Sequence, residues 1–227
     1  ESFATGPSML IFEGDAPDCH AGWAAKSNPN LKVYFIDGSN GFTTPTWQGL
    51  SAISVIPPGI PANAYAAAGL GSARTSWSAP SNDGNAPFLN YEIWYGTSNV
   101  SGDWTLFGEV DTNAVTITEL EIGTTFYFGV KAVNIAGVSD FCVTEPVVPC
   151  TTPAAPQISA VAGDGSVTLS WNELVAPENG WGNIDYYVIY GDGVDVAHVT
   201  GLSTVVTSLM NGQSYSFTVA AHNAAGV

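Results

Sequence analysis

The chain has 227 residues, 45% of them hydrophobic and seven of them Trp, which allows two or three small packed domains and excludes a disordered polymer. Only Lys26, Lys32, Arg74 and Lys131 are basic, against twenty acidic residues. The net charge of −16 excludes DNA, RNA and anionic lipid as partners, because each needs clustered Lys or Arg. No apolar run approaches the roughly 20 residues of a membrane-spanning helix, so no membrane insertion is expected.

The chain starts at Glu1 without a signal-peptide pattern, so a processed product is expected. Residues 1–12 form a strand candidate that carries Phe3 and ends in Met9, Leu10, Ile11 and Phe12. Residues 13–57 are β-rich. A strand is expected over 31–37, closed by the turn Gly38-Ser39-Asn40-Gly41, and another within 47–56. So short a segment is marginal alone and must pack on a neighbour; its fold cannot be assigned.

The Pro-rich stretch 56–61 reads as a linker, and from there the chain repeats itself. Residues 74–80, with Trp77, answer to 168–173, with Trp171. Residues 91–96 answer to 186–191, which aligns Tyr91 with Tyr186. The corner at Leu120 and the strand 126–130 answer to the corner at Leu209 and the strand 215–219. Asn134-Ile135-Ala136-Gly137 answers to Asn223-Ala224-Ala225-Gly226. Residues 150–156 are a second Pro-rich joint.

Each copy resembles a fibronectin type III domain, on spaced marks over 58–149 and 153–227. These are one Trp on the second strand, a Tyr-x-apolar-x-Tyr third strand, a Leu-x-x-Gly-x-x-aromatic corner and an Asn-x-Ala-Gly loop before the last strand. The resemblance implies an all-β chain: two Ig-like β-sandwiches in tandem, plus the N-terminal β segment. It departs at the corner, where Tyr215 can supply a hydroxyl but Phe126 cannot. The second copy also supplies only six strands and lacks its own last strand.

No catalytic constellation is visible: no nucleophile elbow, metalloprotease helix, phosphate loop or dinucleotide fingerprint, so the chain is not expected to be an enzyme. His20, His198 and His222 lie far apart, and no metal or other cofactor is expected. Asp192-Gly193-Val194-Asp195 and Asn82-Asp83-Gly84-Asn85 could hold Ca²⁺ weakly, but turn formation accounts for them more simply. Asn99-Val100-Ser101 makes Asn99 a candidate glycosylation acceptor, and three cysteines suit an oxidising compartment. Parity on the third and sixth strands turns Trp94 and Tyr127 outward in the first copy. The same reading turns Tyr187 and Ile189 outward in the second. These aromatics are expected to contact another subunit or stack on glycans. The resemblance further implies a Cys19–Cys142 bridge, with Cys150 free or paired between chains.

These features lead to a secreted structural subunit of an extracellular filament, whose partners are copies of itself joined head-to-tail. Residues 1–12 would donate the strand missing from the preceding unit. Phe3, Met9, Leu10, Ile11 and Phe12 would fill the groove beside Tyr215, Phe217, Val219 and Val227. A tandem array running on through the Val227–Glu1 join would look the same. The alternative is a non-catalytic spacer or binding module of a secreted carbohydrate-active or adhesive protein.

Overall fold

The computed structural model describes residues 9–17 and 30–227. Three bodies follow one another along the chain. The first is a four-stranded mixed sheet of β1 (Met9–Phe12), β2 (Lys32–Ile36), β3 (Thr46–Trp47) and β4 (Leu50–Val55), in the order β1-β2-β4-β3. β1 and β4 both run parallel to β2, and β3 is antiparallel to β4. Val33, Phe35, Trp47, Leu50 and Ala52 are buried, with Leu10, Phe12 and Phe42 packed on them. Phe35 and Phe42 stack with centroids 4.5 Å apart, and the Trp47 indole N–H donates to the Gly41 carbonyl.

This sheet corrects the expectation for the chain start. Met9–Phe12 pairs in full register with Lys32 to Phe35 of its own segment, so this strand is not free to complete a neighbouring unit. Period-two alternation turns Leu10 and Phe12 onto the apolar side, and Met9 and Ile11 outward. Phe3 lies outside the described residues.

The first sandwich contains β5 (Ala62–Gly69), β6 (Ser72–Ser78), β7 (Phe88–Gly96), β8 (Thr105–Val110), β9 (Ala114–Ile117) and β10 (Tyr127–Asn134). Two short strands, β11 (Gly137–Val138) and β12 (Cys142–Val143), complete it. One sheet is β5-β6-β9; the other is β11-β10-β7-β8, with β12 also on β10. Trp77, Tyr91, Ile93, Ile117, Phe128 and Val130 fill the space between them.

The second sandwich contains β13 (Ile158–Gly163), β14 (Ser166–Trp171), β15 (Tyr186–Gly191), β16 (Val194–Val199), β17 (Ser203–Thr207) and β18 (Phe217–His222). Its sheets are β13-β14-β17 and β16-β15-β18. Asp192 and Gly193, both at positive φ, make the two-residue hairpin between β15 and β16. Among the described residues, β18 carries no strand on its outer side, where its counterpart β10 carries β11 and β12. The consequence is visible on β13, which is exposed at every residue, whereas Ala64, Ala66 and Ala68 of β5 pack on their core.

The repeat register needs a second correction. Trp77 meets Tyr91 with centroids 5.2 Å apart, and Trp171 meets Tyr187 at 5.3 Å. Tyr91 therefore answers to Tyr187, not Tyr186, and Ile93 answers to Ile189. Both Tyr187 and Ile189 are core residues, because a slip of one residue exchanges the two faces of a strand.

Candidate functional site

Two outer surfaces carry the expected contact residues. On the first sandwich, Gly96 at the end of β7 and Gly129 on β10 leave a bare strip on the outside of the sheet. Trp104 lies across it. A Cβ at Gly96 would fall 2.5 Å from Trp104 Cδ1, and one at Gly129 would fall 2.3 Å from Trp104 Cζ3, so only glycine permits this approach. The Trp104 indole N–H donates to the Ser98 carbonyl at 2.7 Å, and the residue is 6% exposed. Phe141 meets the Trp104 ring at 5.3 Å, and the Lys131 ammonium sits 4.2 Å above the centre of Phe141.

Trp94 does point outward from β7. It is half-buried, because Phe141 stands edge-on to it at 5.9 Å, and its indole N–H donates to the Glu92 carboxylate at 3.0 Å. Tyr127, opposite Gly96, is also half-buried on this face. The layer is thus a small second core of the chain's own aromatics. Sequence parity found Trp94 but missed Trp104. The available signal was two outward-facing glycines on adjacent strands, which mark a close approach.

On the second sandwich the outward residues are Tyr186 and Tyr190. Tyr186 is stacked between His198, 5.1 Å away, and His222, 4.4 Å away, with ring planes within 12°. His198 Nε2 lies 2.8 Å from the Asp195 carboxylate, and His222 Nδ1 lies 3.3 Å from that of Asp185. Tyr187 is 3% exposed; burial, with the Glu173 charge adding to it, pushes its phenol up from the ordinary value.

The residues expected to accept a strand divide three ways. Val219 is core, Phe217 packs partly on it, and Val227 is exposed. The Tyr215 hydroxyl accepts the Met210 N–H at 3.0 Å and so closes the corner, as the sequence suggested. Asn99 is exposed, in the loop after β7. Among the described residues Cys142 and Cys150 are free thiols; Cys19, the partner expected for Cys142, lies outside them. Cys142 sits within the sheet opposite Val130, and its thiol is half-buried there. Cys150 is fully buried where the first sandwich ends, and burial pushes its thiol up.

The acidic loops are occupied by their own backbone. Asp192 accepts the Ser216 N–H, Asp83 accepts that of Asn85, and Asn82 accepts that of Gly84. Among the described residues, no group of three His, Cys, Asp or Glu could hold a metal ion. No described helix is long and apolar enough to cross a membrane. The arrangement can present surfaces and hold geometry.

Residues 61–145 match the family model of the fibronectin type III domain, which begins just before β5 and ends just after β12. The first sandwich is a fibronectin type III domain, and the second repeats its fold. The FN1–FN3 domains of chicken CNTN1 have the same fold, at 18% identity and a TM-score of 0.50, over 82% of this chain and 71% of that one. The fibronectin type III region is also similar to exoglucanase B of Cellulomonas fimi, at 27% identity over 196 residues. It is similar to chitinase A1 of Niallia circulans at 28% over 193 residues. These alignments take in 82% and 80% of this chain but only 16% and 26% of the two relatives.

Proposed function

We propose that the chain is a non-catalytic spacer module of a larger, secreted carbohydrate-active protein. The observation that carries this reading is the likeness, over most of this chain, to a small part of both exoglucanase B and chitinase A1. A spacer needs folded bodies that do no chemistry and adhere to nothing charged. Two sandwiches in which fifteen acidic residues outnumber two basic ones repel anionic surfaces, and among the described residues they hold no group of His, Cys, Asp or Glu that could bind a metal ion.

The head-to-tail filament has less support. Its donor strand, Met9–Phe12, is already paired with Lys32 to Phe35. Its lateral anchors are already covered: Trp94 by Phe141, and Tyr187 by the core.

The test uses the natural polypeptide that contains this chain, with residues 58–227 deleted. A spacer predicts slower turnover of insoluble polysaccharide and unchanged turnover of soluble oligosaccharide. The isolated chain should neither hydrolyse these substrates nor sediment with cellulose or chitin. Filaments formed by the isolated chain, or equal loss on both substrates after deletion, would overturn the reading.

A further inference from the structure

The spacer reading leaves its mechanics unstated. A chain of domains can be a string of beads or a rod, and the difference lies in the residues between bodies. Here both junctions are built alike, and neither contains a free residue.

At the first junction Val55 belongs to the N-terminal sheet: it pairs with Ile36, and its carbonyl accepts the Asp37 N–H at 2.9 Å. The next residue already belongs to the first sandwich. The Ile56 N–H donates to the Gly84 carbonyl at 3.0 Å, and its own carbonyl accepts Asn134 Nδ2 at 2.8 Å. Asn134 Nδ2 also reaches the Asp83 carbonyl at 2.9 Å, and Asn134 Oδ1 accepts the Ala136 N–H at 2.8 Å. Asn134 is 3% exposed, with both ends of its amide used. Three residues on, the Gly59 N–H donates to the Asn82 carbonyl.

At the second junction Cys150 belongs to the first sandwich. Its N–H donates to the Gly69 carbonyl at 3.1 Å, and its carbonyl accepts the Gly71 N–H at 3.0 Å. Thr151 belongs to the second. Its N–H donates to Gly180 at 2.8 Å, and its carbonyl accepts Asn223 Nδ2 at 2.8 Å. Asn223 Nδ2 reaches the Asn179 carbonyl at 2.9 Å, and Asn223 Oδ1 accepts the Ala225 N–H at 2.8 Å. The Ala154 N–H donates to Glu178, as Gly59 does to Asn82. Even the glycine is matched: Gly84 and Gly180 are at φ +74° and +69°, and a Cβ on either would lie 2.0 Å from the gripped carbonyl oxygen.

Contacts between bodies reinforce both joints. Tyr34 and Val55 pack on Ala86, with Ile135 and Ala136 beside them. The Trp181 ring lies on Gly123 across the second joint, where a Cβ would meet Trp181 Cδ2 at 2.8 Å.

We propose that Asn134 and Asn223 are positioning residues that lock each sandwich to the body before it, so that the chain is a rigid rod of fixed length and not a flexible tether. Two successive residues, each held through both backbone groups by a different body, leave only the torsions between them to bend. This deepens the spacer reading but is tested without it, because the readout is the isolated chain's geometry.

The experiment measures amide residual dipolar couplings of the partially aligned, labelled 227-residue chain. One alignment tensor should fit both sandwiches. Asn223→Ala should split it into two, while the amide spectrum of the first sandwich stays in place. If that variant does not fold, inserting two glycines between Cys150 and Thr151 leaves every gripping residue intact and must also give two tensors. Two tensors in the unaltered chain, or one tensor in the insertion variant, would overturn the proposal. A single tensor in folded Asn223→Ala would overturn the role of Asn223. The polysaccharide experiment above fails or succeeds independently of these outcomes.

Discussion

The two sandwiches agree where they are joined and differ where they face outward. Asn134 and Asn223 make the same set of bonds in both. The outer sheet faces share nothing. The first has Gly129 opposite Trp94, and Trp104 lies in the space so created. At the equivalent place the second has Thr218 opposite Tyr190, so no ring can lie flat there. Its aromatic layer is instead Tyr186 between two histidines. The core and the junctions carry the repeat; the outer faces have drifted, and contact residues do not transfer from one copy to the other.

The sharpest way to break this comparison is at the doublet on β15. Tyr187→Ala should cost about 3–5 kcal/mol, as for other buried aromatics, whereas Tyr186→Ala should cost about 1 kcal/mol, the worth of a half-buried ring stack. Urea denaturation of the second sandwich reads both. Equal losses would show that the two faces are not distinguished as described.

The glycine strip comes next. Gly129→Ala must displace Trp104, which should cost about 1–3 kcal/mol. Thr218→Ala, its counterpart, should stay within about 0.5 kcal/mol. Trp fluorescence should red-shift in the first variant as Trp104 meets water.

A smaller difference lies at the corners. Tyr215→Phe removes the acceptor for the Met210 N–H and should cost about 1 kcal/mol. Phe126→Tyr should bring no matching gain, because Phe126 is 7% exposed and faces the first core. Thermal melts of the two variants check this.

Much of this was legible in the sequence. Trp77 and Trp171 and the Asn-x-Ala-Gly loops follow from spacing and turn chemistry. What failed did so for identifiable reasons. Tyr186-Tyr187 offers two alignments onto Tyr91, and local pattern cannot choose between them; only the ring contact with Trp171 does. β1 and β4 run parallel to β2, so no tight turn announces those pairings, and β1 looked unpartnered because its partner is β2, across the residues between them. Trp104 was missed because its burial depends on what Gly96 and Gly129 lack.

The smallest predicted difference between the sandwiches appears only in alkali. Cys150 ends the first, Tyr187 lies in the core of the second, and burial raises both pKa values above their ordinary 9.0 and 10.0. Each group stays protonated longer in the folded chain than in the unfolded one. Below the ordinary value both states hold the proton, and the contribution to stability is complete. As pH rises past that value the unfolded state releases its proton first, binds fewer protons than the folded state, and gains in population. The first sandwich should therefore begin to lose stability above about pH 9, and the second only above about pH 10. Cys150→Ala should flatten the lower step alone, and Tyr187→Phe the upper step alone, each with some loss at every pH from the atoms removed. Urea midpoints at half-unit intervals from pH 8 to 11, followed by amide signals from each sandwich, separate the slopes from that constant loss. A lower step that survives Cys150→Ala would place its proton elsewhere.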